Sequence, residues 1–207
     1  MSWRKLLLGD WHSLVRDPID VLRALNVAAA PAFLGAGDVD AALRLAVTAG
    51  VMVLARVIDV PRPFDLGFVV GMSLQGWGNA AGLFERYGWY DSVVHFTLSA
   101  MVAPLFYIGL ARLGVVPDLD EDVEKHPHAG LFMISLALGT AFGALYEIYE
   151  YVAVHHFGAH LQIGYADTIL DLTLDLLGSV LGGVGLMVWA LYGWGTSRRV
   201  PAERLSP

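Results

Sequence analysis

Long apolar segments are the feature that most constrains what this chain can fold into. Five runs of about 18 residues or more are separated by short polar loops, and a helix of this length crosses a bilayer core of about 30 Å. The chain is 56% hydrophobic and only 16% charged, outside the usual range of soluble domains. A soluble helical protein with a large core is the alternative, and so many apolar runs disfavour it. The sequence therefore predicts an all-α, polytopic membrane helix bundle.

A sixth, shorter run near the N-terminus carries Arg23, Asn26 and Pro31, and it could instead lie in the membrane interface. Lys and Arg gather on the cytoplasmic side of membrane proteins. Six spans with both termini in the cytoplasm place nearly all of these residues on that side, whereas five spans do not. The predicted spans are residues 19–35, 41–58, 64–84, 90–113, 129–154 and 165–192.

The whole chain, residues 1–207, is predicted to be one integral membrane domain that begins with an interfacial helix over residues 1–17. The chain has no cysteine, which excludes disulfides and thiolate metal ligands. No basic patch indicates nucleic acid, and no glycine-rich loop or HExxH motif indicates nucleotide binding or zincin chemistry. The predicted partners are the lipid bilayer and a lipid or small-molecule substrate.

Polar side chains within the predicted spans gather in one layer near the outer surface, and the inner halves of the spans are almost purely apolar. On a helix, residues four apart lie on the same face about 6 Å apart along the axis. Three consecutive antiparallel spans each bring acids to this layer, and one of them also brings a histidine. The members are Asp91, His95, Glu147, Glu150, Asp167, Asp171 and Asp175.

This layer predicts a functional site, because a buried acid in lipid costs several kcal/mol unless it faces water, a partner or a cation. Arg44 is the only cation expected nearby. The acids are therefore expected to hold protons or a divalent metal such as zinc, manganese or iron. Asp91 and His95 are the predicted catalytic residues, with the carboxylate orienting an imidazole that acts as acid or base. The predicted metal ligands are Glu147, Glu150, Asp171, Asp175 and His95.

Simpler roles stay open for several of these residues. Asp91 could cap the helix that follows it, and His95 could be a hydrogen-bonded core histidine. Glu147 and Glu150 could be neutral acids that join helices. Asp167 could complement a helix dipole.

The segments WYDSVVHF, EIYEY and DLTLDLLGSVLGG, together with LQGWGN before them, resemble the YjdF-like family of bacterial inner-membrane proteins. The chain is more loosely similar to VanZ-like membrane proteins. The resemblance implies an Asp and His on one helix, a Glu on the next, and a paired D-x3-D on the last. These fall on Asp91, His95, Glu147, Asp171 and Asp175, whereas Glu150 and Asp167 depart from the pattern.

Neither family supplies a reaction, so the residues leave three functions open. The first is a metal-dependent enzyme that acts on a lipid or head group. The second is a carrier or channel for protons or small cations. The third is a structural or accessory protein with a neutral polar network. The expected location is the inner membrane, with both termini in the cytoplasm.

Overall fold

A computed structural model describes residues 18–58, 60–119, 127–158, 161 and 163–192. These residues form helices and connecting turns, and no strand occurs among them, so the prediction of an all-α fold is confirmed. The predicted interfacial helix over residues 1–17 lies outside the described residues. The helices are α1 (Pro18–Gly35), α2 (Val39–Ile58), α3 (Arg62–Ala80), α4 (Leu83–Arg86), α5 (Tyr90–Arg112), α6 (Pro127–Phe157) and α7 (Tyr165–Leu191).

Three of the described helices are long and apolar enough to cross a membrane. They are Tyr90–Arg112, His128–His156 and Tyr165–Leu191. Helices α1, α2 and α3 have 18, 20 and 19 residues, but each carries charged side chains within its length. Three spans are thus supported by length and composition, and six spans stay a prediction.

The third predicted span, residues 64–84, does not continue as one helix. Helix α3 ends at Ala80, and Gly82 adopts a left-handed conformation with φ of 62° before α4 begins. Glycine reaches positive φ without the steric cost that a Cβ brings. The apolar pattern of the segment gave no indication of this turn.

The described residues form two compact units, one extending to Tyr90 and one beginning at Asp91. In the first unit, Ile19, Met52 and Val69 bring α1, α2 and α3 together around a small apolar core. Helices α2 and α3 each follow their predecessor through a short connection, as expected for antiparallel neighbours.

A buried ionic cluster joins the same three helices. Arg23 donates to Asp20 and to Asp65, each at 2.5 Å, and Arg56 donates to Asp20 at 2.7 Å. All four side chains are at most 6% exposed. The expectation that the inner halves of the predicted spans are almost purely apolar did not include this cluster. Two cations and two anions can be buried together because their charges cancel.

Tyr90, the first residue of α5, is also buried, at 6% exposure. Its hydroxyl donates to the carbonyl of Leu74 at 2.8 Å. A Cβ at Gly78 would overlap the Tyr90 ring, so the glycine makes room for it. Trp89 and Tyr192, by contrast, are exposed.

In the second unit, α7 packs closely against α5 and α6 through small residues. A Cβ at Gly178 would meet the carbonyl of Phe96, and one at Gly182 would meet the carbonyl of Ala100. Pro104 lies four residues after Ala100 and has no N–H to give that carbonyl. The uncapped carbonyl instead lies against Gly182. The glycines of the GSVLGGVG segment thus allow close helix packing.

Candidate functional site

Helix α5 presents polar side chains at four-residue spacing on one face. Asp91 lies in its first turn, His95 one turn further and Ser99 one turn beyond that. The helix begins at Tyr90, so Asp91 lies inside the first turn and is not the N-cap. This removes the capping role that the sequence left open for it.

Helices α6 and α7 face α5 with acids from the same layer. Glu147 and Glu150 are three residues apart on α6, and Asp171 and Asp175 are four apart on α7. Asp171 is 2% exposed and Asp175 is 1% exposed. Spacings of three and four residues place each pair on a common helix face. All of these residues belong to the second unit.

His95 lies at the centre of these acids and is itself 5% exposed. Its Nδ1 atom lies 3.3 Å from both carboxylate oxygens of Asp175. Its Nε2 atom lies 3.6 Å from Asp91 Oδ1 and 3.9 Å from Glu147 Oε1. The ring of Tyr146 packs edge-to-face on the imidazole at a centroid distance of 5.5 Å. The two ring nitrogens therefore have different carboxylate surroundings.

Several buried polar atoms at this place have no hydrogen-bond partner among the described residues. They are His95 Nε2, Glu147 Oε1 and Asp171 Oδ2. Buried polar groups in folded proteins are almost always paired, so each exception calls for a physical explanation. Here three such atoms, from three helices, lie around one point.

Two overlapping groups of side chains bring possible metal-ligand atoms within 4.8 Å of one another. The first contains Asp91, His95 and Asp171, and the second contains His95, Glu147 and Glu150. Both groups share His95. The site therefore offers one imidazole nitrogen and up to four carboxylates.

The residues that build this site lie within a recognised sequence family. A family model described as "Predicted membrane protein (DUF2238)" matches residues 25–192, most of the chain. The chain belongs to this family. DUF2238 membership is consistent with the resemblance to YjdF-like proteins. No curated protein and no solved structure matches the chain.

In this DUF2238 protein, five of the predicted site residues fall in the two groups of possible ligands. Asp175 does not, because its carboxylate contacts the other nitrogen of His95. The role of each residue stays a prediction. The five are Asp91, His95, Glu147, Glu150 and Asp171.

Sequence reasoning missed two neighbours of this DUF2238 site, Ser99 and Tyr146. Ser99 donates to Asp175 Oδ1 at 2.5 Å. The four-residue step from His95 to Ser99 was visible in the sequence and could have indicated the serine. His155 and His156 are exposed in the last turn of α6.

Proposed function

We propose that this protein binds a divalent metal ion within the membrane through His95 Nε2, Asp91 and Asp171. The observation that carries the proposal is the pair of buried, partnerless atoms His95 Nε2 and Asp171 Oδ2 in one group of possible ligands. An acidic cluster alone would be weaker support. A buried imidazole nitrogen directed at carboxylates distinguishes this cluster from a set of surface acids.

The separations around His95 Nε2 also favour a shared ion over direct hydrogen bonds. At 3.6 Å and 3.9 Å from the nearest carboxylate oxygens of Asp91 and Glu147, the nitrogen is too far away for a normal hydrogen bond. Two ligands at about 2.1 Å from one tetrahedral ion lie about 3.4 Å apart. The observed distances are close to that separation.

The donor set favours zinc, manganese or iron. Imidazole suits zinc and iron, carboxylates suit manganese, and magnesium and calcium prefer oxygen ligands alone. One imidazole nitrogen binds one ion, so the two groups that share His95 cannot both use it at once. We assign the ion to the first group, because Asp91 lies nearer to Nε2 than Glu147 does. Glu147 and Glu150 then stay available as acid and base.

We further propose that the site hydrolyses a phosphate ester of a lipid head group. When bound, the ion would polarise a phosphate oxygen and activate a water molecule. Glu147 or Glu150 would accept the proton of that water while oxygen bonds to phosphorus. The bond from phosphorus to the alcohol oxygen would then break, and the leaving alcohol would take up the proton.

The depth of the site supports a head-group substrate. Tyr149, Tyr151 and Tyr165 are exposed at the end of α6 and the start of α7. Exposed tyrosines at span ends gather at the level of lipid head groups. Glu150 and Asp171 lie within about two helical turns of these tyrosines, so a head group could reach the carboxylates without crossing the bilayer core.

Metal content tests the binding site. Purified wild-type protein is expected to carry one zinc, manganese or iron per chain by elemental mass spectrometry, and Asp171→Asn is expected to lose it. Asp167→Asn is the matched control, since it lies one turn away on α7 outside both groups. Equal metal in wild type and Asp171→Asn, or none in either, would contradict the site.

Activity tests the reaction separately. Wild-type protein with added metal is incubated with phospholipid vesicles that carry labelled head groups, and release of the label is followed. Glu147→Gln and Glu150→Gln are each expected to slow release while the metal stays bound. Metal binding without release of any label would be consistent with the metal site but would contradict the hydrolysis proposal.

A cation-coupled carrier is the second candidate, and one observation favours it. The hydroxyls of Ser179 and Ser135 are fully buried and have no partner among the described residues. Ser179 lies one turn beyond Asp175 on α7, so polar atoms continue from the site toward the other membrane surface. Metal or proton uptake into proteoliposomes that Ser179→Ala slows would support this function over hydrolysis.

A further inference from the structure

Asp175 lies on the opposite edge of the His95 ring from the proposed metal ligands. Its two carboxylate oxygens are each 3.3 Å from His95 Nδ1. Asp91 and Glu147 lie on the Nε2 side. Neither group of possible metal ligands includes Asp175. The two ring nitrogens therefore have different neighbours: Nδ1 faces the carboxylate of Asp175, and Nε2 faces the proposed metal ligands.

The surroundings of Asp175 fix its carboxylate in place. Ser99 donates to Oδ1 at 2.5 Å, and this serine lies one turn beyond His95 on the same face of α5. Gly143 of α6 makes room on the other side, because a Cβ there would overlap the Asp175 carboxylate. At 1% exposure, Asp175 has few other positions that it could adopt.

We propose that Asp175 is the positioning residue of the site and does not ligate the ion. It accepts the Nδ1–H of His95, which fixes the tautomer and leaves the Nε2 lone pair directed at Asp91 and the other proposed ligands. Ser99 holds the carboxylate in the orientation that this requires. Metal-binding histidines commonly donate their second N–H to a carboxylate, which orients the ring and makes it a stronger ligand.

This inference rests on the proposed metal site for its effect on affinity, but the tautomer itself can be measured without metal. The substitution is Asp175→Asn, which keeps the shape of the side chain. Ser99 would still donate to the amide oxygen at the Oδ1 position, so the NH₂ group would take the place of Oδ2, which lies 3.3 Å from Nδ1. His95 would then accept at Nδ1 and carry its proton on Nε2. Asp167→Asn is the control on the same helix.

Two measurements follow. In metal-free protein, at a pH high enough to keep the His95 ring neutral, imidazole ¹⁵N spectra, assigned by loss of the signal in His95→Asn, are expected to show an Nδ1–H tautomer in wild type and in Asp167→Asn. Asp175→Asn is expected to show an Nε2–H tautomer. In zinc titrations, Asp175→Asn is expected to weaken binding about 10-fold to 100-fold. Ser99→Ala should retain the tautomer and weaken binding less.

The outcomes separate this inference from the proposed function. Wild-type protein that binds no zinc but shows the Nδ1–H tautomer, lost in Asp175→Asn, would overturn the metal site and support the positioning role. An unchanged tautomer of the neutral His95 ring in Asp175→Asn would overturn the positioning role. So would zinc affinity in Asp175→Asn that equals that of wild type.

Discussion

The buried ionic cluster of α1, α2 and α3 gives a sharp stability prediction. Arg23→Met removes the hydrogen bonds to Asp20, to Asp65 and to the carbonyl of Met52, while it keeps an apolar stem of similar length. Removing one partner of a buried ion pair costs about 3–5 kcal/mol, because the remaining acid loses an oppositely charged, hydrogen-bonded neighbour. We expect the free energy of unfolding to fall by this amount.

An exposed pair in the same unit provides the control. Arg44 donates to Asp40 at 2.9 Å, but the two side chains are 33% and 76% exposed. Exposed ion pairs contribute about 0–1 kcal/mol, so Arg44→Met is expected to have a small effect. The assay is equilibrium unfolding in mixed micelles, followed by tryptophan fluorescence. The two predictions differ by about 2 kcal/mol or more.

A double variant distinguishes a lost charge balance from lost packing. Replacing both partners of a buried pair by apolar residues is often close to neutral. Arg23→Met combined with Asp65→Leu is therefore expected to recover part of the stability that Arg23→Met loses. Equal losses of unfolding free energy in Arg23→Met and Arg44→Met would contradict this prediction. So would a double variant whose loss exceeds the sum of the losses in its two single variants.

Two further predictions concern the site. Gly143→Ala is expected to lower zinc affinity at least about tenfold, because its Cβ would displace the Asp175 carboxylate that orients His95; Gly130→Ala, with no atom within 4 Å of its Cβ, should leave affinity unchanged. Removing metal with a chelator should lower the Tm of wild-type protein. Zinc restored to about 100 times its Kd should raise the free energy of unfolding by about 2.7 kcal/mol. Asp171→Asn should show neither change, and the same response in wild type and in this variant would argue against the site.

The helices could be predicted from the sequence because apolar length and spacing are local properties. The structure places α5 at Tyr90–Arg112 and α7 at Tyr165–Leu191, within one residue of the predicted spans at each end. The end of α3 was wrong by four residues, since the left-handed conformation of Gly82 is a backbone property that hydropathy does not report.

The acids of the site could be found because their depth depends only on distance along a helix. Their separate roles depend on how each helix is rotated about its axis, which one sequence does not fix. Asp171 and Asp175 looked alike as ligands, yet only Asp175 contacts Nδ1 of His95. The sequence could not show that difference.

The same reason explains why the cluster around Arg23 was missed. Arg23 and Arg56 contributed to the sequence argument only as charges that orient the chain in the membrane. Their partners, Asp20 and Asp65, lie close in space through helix packing. The D-x2-R spacing within α1 was a local signal that could have indicated one of these pairs.

X-ray absorption at the metal edge tests the central claim most directly. Detergent-purified wild-type protein, loaded with one equivalent of zinc, is expected to show one imidazole nitrogen and two or more oxygens at about 2.0–2.2 Å. In His95→Gln the imidazole contribution is expected to disappear. A spectrum with two or more imidazoles, or one that His95→Gln leaves unchanged, would place the zinc elsewhere and contradict the account.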